Sequence, residues 1–281
     1  MTAHPRGGPL TRLAVFGGLT TLSLVVAQAL LARVTSASPA SSEARLEVYF
    51  WTLSLCLLLA HAVVLRLYHD FDWSYVGLDG RAAASRTLAL GVAVGALAIG
   101  VPSGLLLMAG QLQQVPSYAG NSATAMGLLL ILLTPAALWE ELAMRGYLFS
   151  ALRERFGTTV ALVVTSALFG LLHLMNAGAT AWSTAAVTLA GGFLGMVRLA
   201  TGSLYAAWAA HLAWNFVMAG VLHSPVSGLG MNAPNYKIVD AGPDWLTGGP
   251  WGPEGGVAAM IGMAAAFIFL QRRVRREERA P

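Results

Sequence analysis

Apolar runs of about twenty residues recur along the whole chain, and no other feature restricts its fold as sharply, because crossing the hydrocarbon of a bilayer takes roughly 20 apolar residues per helix. Read as windows, the runs give about eight spans, at roughly 12–33, 48–67, 87–111, 126–152, 158–177, 180–198, 203–222 and 256–271. Only 11% of the 281 residues are charged and 56% are hydrophobic, whereas soluble domains carry about 25% charged residues. That excludes an ordinary soluble domain, and a β-barrel would show short alternating segments instead. The expected fold is an all-α polytopic membrane helical bundle, with 1–281 as a single integral membrane domain. The first run, preceded by Arg6 and Arg12 and followed by Ser36, Ala37, Ser38 and Ala40, has the flanks of a signal peptide. Its apolar part of about 20 residues exceeds the usual 7 to 15, so it reads as a retained first helix. The single cysteine, Cys56, excludes an intrachain disulfide and a cysteine metal cluster.

Basic residues set the expected topology. If the spans alternate and the chain starts in the cytoplasm, the inner side collects Arg6, Arg12, Arg66, Arg81, Arg86, Arg145, Arg153, Arg155, Arg198, Arg272, Arg273, Arg275, Arg276 and Arg279, and the outer side keeps Arg33, Arg45 and Lys237, a partition of 14 against 3. The positive-inside rule then puts the N and C termini in the cytoplasm. The basic balance marks membrane topology, not nucleic acid. The segment from Tyr68 to Arg86 reads as interfacial, with Trp73 and Tyr75 as anchors. The Gly- and Pro-rich stretch 224–255 is too long for a turn and is expected to be a long extracytoplasmic loop capping the outer face. Gly91 with Gly95, and Gly191 with Gly195, are spaced for close helix packing. Sixteen arginines against one lysine suit a GC-rich genome and hence a prokaryotic plasma membrane.

Ionisable groups inside lipid are costly and mark functional sites. Glu140, Glu141 and Arg145 fall in the fourth run. Glu141 and Arg145, at i and i+4, share a helix face and can pair, while Glu140 points about 100° away and is left free for chemistry. The fifth run carries Phe169, His173 and Asn176, and the seventh His211 and Asn215, again i and i+4. Counting 1.5 Å per residue from inner boundaries near Arg153, Thr158 and Ser203 puts Glu140, His173 and Asn215 roughly 18 to 23 Å deep and His211 roughly 12 Å. Three helices thus deliver a carboxylate, two imidazoles and an amide to similar depth. His4, His61, His69 and His223 receive no role. Ser150, Ser166 and Ser203 have no G-x-S-x-G context and no His partner in sequence, which argues against a serine peptidase.

The ordered motifs EExxxR (Glu140, Glu141, Arg145), FxxxH (Phe169, His173) and HxxxN (His211, Asn215) resemble those of the CAAX prenyl protease and bacteriocin-processing (CPBP, or Abi) family of intramembrane proteases. The resemblance covers roughly 85–220, which it marks as the catalytic core. It implies a metal-free glutamic endopeptidase with a cavity open to the cytoplasm. Glu140 would activate water, His173 would hold that water, and His211 with Asn215 would bind the oxyanion. Glu141, Arg145 and Phe169 would be structural neighbours. The implied substrate is a peptide or membrane protein, prenylated or not. Three other readings use the same residues: a zinc protease with Glu140, His173 and His211 as ligands, a non-catalytic immunity-type membrane protein, and a small transporter. Against zinc, no second carboxylate is in sequence view to orient the imidazoles.

Overall fold

The structure is a computed structural model that describes residues 7–37, 42–230 and 233–277. His4, Arg6, Ser38, Ala40, Arg279 and both chain ends lie outside the described residues. The protein is an all-α helical bundle with one small β-ribbon. Its long helices are α1 (Pro9–Ala37), α2 (Ser42–Tyr68), α3 (Ser85–Met108), α4 (Ser122–Arg145), α5 (Tyr147–Phe156), α6 (Thr158–Leu172), α7 (Ala181–Thr201), α8 (Leu204–Phe216) and, after a short α9 (Asp244–Thr247), α10 (Val257–Glu277). Among the described residues seven helical stretches are long and apolar enough to cross a membrane. The expected span at 203–222 is not one of them, because α8 ends at Phe216 and the chain continues as a π-turn over Val217–Val221. Large apolar side chains such as Leu59, Leu97, Val163 and Ile261 are exposed on the outside of the bundle. In lipid that is their preferred solvent, and the chain is an integral membrane protein.

Helix α8 is the hub, packing against α3, α4 and α7, while α6 and α10 lie on α7 and α1 covers α2. The contact between α3 and α8 depends on Gly91 and Gly95, where a Cβ would run into the carbonyl oxygens of Ala206 and Ala210. Gly191 lets α7 approach α6 in the same way, since a Cβ there would lie 2.9 Å from the Cα of Ser166. Small residues therefore let backbones meet where the polar side chains project.

Two departures from the sequence reading bear on the site. The fourth run is not one helix: it breaks at Gly146, so the straight count of depth from Arg153 to Glu140 does not hold. The break is stitched by His61, whose Nδ1–H donates to the Leu57 carbonyl at 2.7 Å and whose Nε2 accepts from the Tyr147 backbone N–H at 3.1 Å. A Cβ on Gly146 would collide with that imidazole. His61, given no role from sequence, thus holds the break that ends α4 at Arg145. The fifth run is also shorter than expected, ending at Leu172 and turning through a 3₁₀ segment, His173–Met175.

The stretch 224–255 is folded against the bundle. β1 (Leu112–Pro116) and β2 (Tyr236–Asp240) pair antiparallel in the register Leu112 opposite Asp240. This joins the stretch to the connection between α3 and α4. Farther along, Ser227 and Glu254 reach the polar centre.

Candidate active site

The centre is built around Arg145, the last residue of α4. Arg145 and Glu141 are fully buried and paired, Nη1 to Oε1 at 3.1 Å, as their i, i+4 spacing requires. The guanidinium also donates from Nη2 to the Gly191 carbonyl at 2.9 Å and sits 4.4 Å over the Phe169 ring. One cation therefore locks α4, α6 and α7 together through an ion pair, a hydrogen bond and a cation–π contact.

The motif residues are fixed by this frame. His211 Nδ1 donates to Glu141 Oε1 at 3.0 Å, which puts the proton on Nδ1 and turns Nε2 toward Glu140. Glu141 is thus shared between Arg145 and His211. The sequence reading, in which no carboxylate orients the imidazoles, is corrected here: helix register, invisible in sequence, brings α8 beside α4. His173 Nδ1 donates to the Phe169 carbonyl at 2.8 Å, so its Nε2 also faces Glu140. Glu140 stands between the two rings, with Oε2 4.0 Å from His173 Nε2 and 3.9 Å from His211 Nε2. That buried oxygen has no hydrogen-bond partner within the described residues. Asn215, one turn beyond His211, is 8% exposed and lines a cavity of about 20 Å³ together with His173, His211, Ser227 and Glu254. Such a volume holds about one water molecule.

Glu254 escaped the sequence reading. It is 6% exposed and accepts three hydrogen bonds, from Ser227 N–H at 2.6 Å, Ser227 Oγ at 2.7 Å and Trp214 Nε1 at 3.0 Å. Trp214 lies on α8 between His211 and Asn215, so this carboxylate ties the 224–255 stretch to the helix that carries the third motif. Asn176 adds a second tie, donating to the Ser227 carbonyl at 3.0 Å. The available signal was an acid isolated within Gly252–Pro253–Glu254–Gly255–Gly256 just ahead of an apolar run.

The three serines weighed above bond to backbone and none touches a histidine: Ser150 donates to the Tyr75 carbonyl, Ser166 to Leu162 and Ser203 to Ala82. Among the described residues, no three His, Cys, Asp or Glu side chains stand in a geometry that would hold a metal ion. Glu140, His173 and His211 are spread by 3.9 and 4.0 Å, wider than the roughly 3.2–3.5 Å between donors about 2.0–2.1 Å from one tetrahedral zinc.

No curated protein and no solved structure matches the chain. A family model does: residues 121–217 match the one described as type II CAAX prenyl endopeptidase Rce1-like. The match starts at the cap of α4 and ends just after α8, so it encloses all three motifs. Residues 121–217, about a third of the chain, are therefore similar to Rce1-like prenyl endopeptidases.

Proposed function

We propose that the protein hydrolyses peptide bonds inside the membrane with a water activated by Glu140 and without a metal. The similarity of residues 121–217 to Rce1-like prenyl endopeptidases supports a CAAX-protease-like membrane endopeptidase, and the chemistry is our reading. The observation that carries it is the position of Glu140 Oε2, unpartnered and about equidistant from the free Nε2 atoms of His173 and His211. A water about 2.8 Å from both Glu140 Oε2 and His173 Nε2 forms a bent bridge across their 4.0 Å separation. It donates one proton to each, which leaves an oxygen lone pair for a substrate carbonyl.

As that oxygen attacks, Glu140 takes its proton and the carbonyl oxygen becomes an oxyanion. Asn215 Nδ2 and the Nε2–H of a doubly protonated His211 donate to it, with Glu141 balancing the charge on the ring. Glu140 then returns the proton to the departing amine nitrogen. Arg145 and Phe169 touch no reacting atom and position the rings.

The substrate in this reading is a peptide or membrane-protein segment, prenylated or not, reached from the cytoplasm. With α8 and its continuation to Val221 as the eighth crossing, both termini are on the cytoplasmic side, a reading that the 14-to-3 partition of arginine and lysine supports, and the bias to arginine favours a prokaryotic plasma membrane. The functional core is 85–220 together with Ser227 and Glu254 from the extracytoplasmic 224–255 loop.

The test is cleavage of a prenylated CAAX peptide and of a mixed peptide library by purified protein in detergent. Glu140→Gln and His173→Ala are each expected to lower the rate by about 100-fold to 10,000-fold, and chelator is expected to leave the wild type unchanged. Chelator-sensitive cleavage would replace this mechanism with a zinc one. Cleavage that survives Glu140→Gln would refute the base, and a folded protein that yields no product would favour the immunity-type reading.

A further inference from the structure

Away from the proposed active centre, one buried cation has no counter-charge at hand. Arg198, near the C-terminal end of α7, is 6% exposed. It makes no hydrogen bond and no ion pair among the described residues. Asp79 attracts it only from beyond ion-pair distance. An uncompensated buried charge is strongly destabilising. The carbonyl end of α7 favours a cation there but offsets only part of that cost. The guanidinium is set tightly in place: a Cβ on Gly77 would come within 2.8 Å of its Cζ and 2.9 Å of Nη2.

Arg198 lines a cavity of about 400 Å³ between the 3₁₀ segment Trp73–Val76, α5 and the turn at Gly202, and the exposed Arg153 lines it too. The carboxylate beside them, Glu154, is already neutralised. Arg12 holds it with two hydrogen bonds, at 3.0 and 3.2 Å, and the Tyr75 hydroxyl donates to it at 2.7 Å. Among the described residues the cavity therefore presents two unpaired guanidiniums and no free acid. Gly202 also walls a neighbouring cavity containing Arg86, so the basic surface continues around the end of α7. Trp73 and Tyr75 give this region the aromatic character of a membrane–water interface.

We propose that this cavity binds a phosphate group, with Arg198 and Arg153 as its cations and an anionic phospholipid headgroup as the source favoured by its interfacial position. Guanidinium groups match phosphate through paired charge-assisted hydrogen bonds, and basic pockets between membrane helices hold anionic headgroups by the same chemistry. The site supplies the charge that Arg198 lacks and pins the Trp73–Val76 segment to α7.

The test uses the full-length protein in neutral detergent and follows its thermal unfolding midpoint. The probes are dioctanoyl phosphatidylglycerol, dioctanoyl phosphatidylcholine and inorganic phosphate. Phosphatidylglycerol is expected to raise the midpoint saturably, with affinity weakened about tenfold or more by Arg198→Gln and by Arg153→Gln. Arg66→Gln, which removes an exposed arginine outside the cavity, is expected to leave the response intact. A matching response to inorganic phosphate would support the site and identify a soluble phosphate as the source. An equal response to phosphatidylcholine, no response to either phosphate probe, or an undiminished response in the cavity variants would overturn the proposal. If Arg198→Gln does not fold, Arg153→Gln decides alone.

Discussion

Replacing Glu254 by glutamine tests whether the 224–255 stretch is fastened to α8 by the bonds described. All three partners of Glu254 are donors: Ser227 N–H, Ser227 Oγ and Trp214 Nε1–H. A glutamine amide offers one oxygen only. If that oxygen keeps the Ser227 N–H, the new NH₂ group faces the indole N–H, and two donors confront each other in a buried site. The lost bond to a charged acceptor is worth about 1.5–3 kcal/mol, and an unsatisfied buried donor costs about 1–3 kcal/mol. These costs overlap, so Glu254→Gln should destabilise the fold by about 2–4 kcal/mol. In a Trp214→Phe background the opposing indole N–H is gone, and the same change should cost only about 1 kcal/mol, through weaker bonds to Ser227. Equilibrium unfolding in mixed micelles of the wild type, both single variants and the double variant gives the coupling, expected at about 1–3 kcal/mol. A cycle additive to within about 0.5 kcal/mol, or a Glu254→Gln variant as stable as wild type, would show that this clamp does not hold the loop.

Arg145→Met should cost about 3–5 kcal/mol in the same unfolding assay, because it leaves the fully buried Glu141 without its cation and the Gly191 carbonyl without its donor. Glu140→Gln, in contrast, should leave unfolding within about 0.5 kcal/mol of wild type while lowering the cleavage rate as given above, since Oε2 has no hydrogen bond to lose. His69, stacked on Tyr75 at 3.8 Å, has its pKa lowered from 6.5 by burial and by the Arg12 cation. The unfolded chain then binds the extra proton more readily, so the contribution of His69 is fully present above about pH 6.5 and is lost as pH falls below it. Unfolding midpoints measured from pH 8 to pH 5 should show this slope in the wild type and a shallower one in His69→Gln.

The helical periodicity made part of the centre legible. The i, i+4 spacing alone separates Glu141 and Arg145 from Glu140, and the structure keeps that separation, one carboxylate paired and the other not. Membrane spans were legible because lipid imposes a composition on whole segments. What escaped depends on contacts between distant parts of the chain. The apolar window 126–152 hides the break at Gly146, because the residue that stitches it, His61, lies 86 positions before Tyr147. The sharing of Glu141 between Arg145 and His211 depends on how α4 sits against α8, which no local pattern encodes. Glu254 stood in a stretch whose glycines and prolines announce an irregular path without saying where it leads.

The cavity beside His211 and Asn215 has a consequence for timing. About 20 Å³ is room for about one water molecule, so in the proposed reaction the lining has to move before a substrate carbonyl can accept from His211 and Asn215. Two polar fastenings hold that lining, Asn176 to the Ser227 carbonyl and Glu254 to Trp214 Nε1, and Ser227 braces Glu254 in the second. Displacing Ser227 would release the first and loosen the second. In an enzyme arranged this way each turnover includes a mechanical interval of opening and resealing, and the clock of the reaction can be set by that interval, not by bond cleavage.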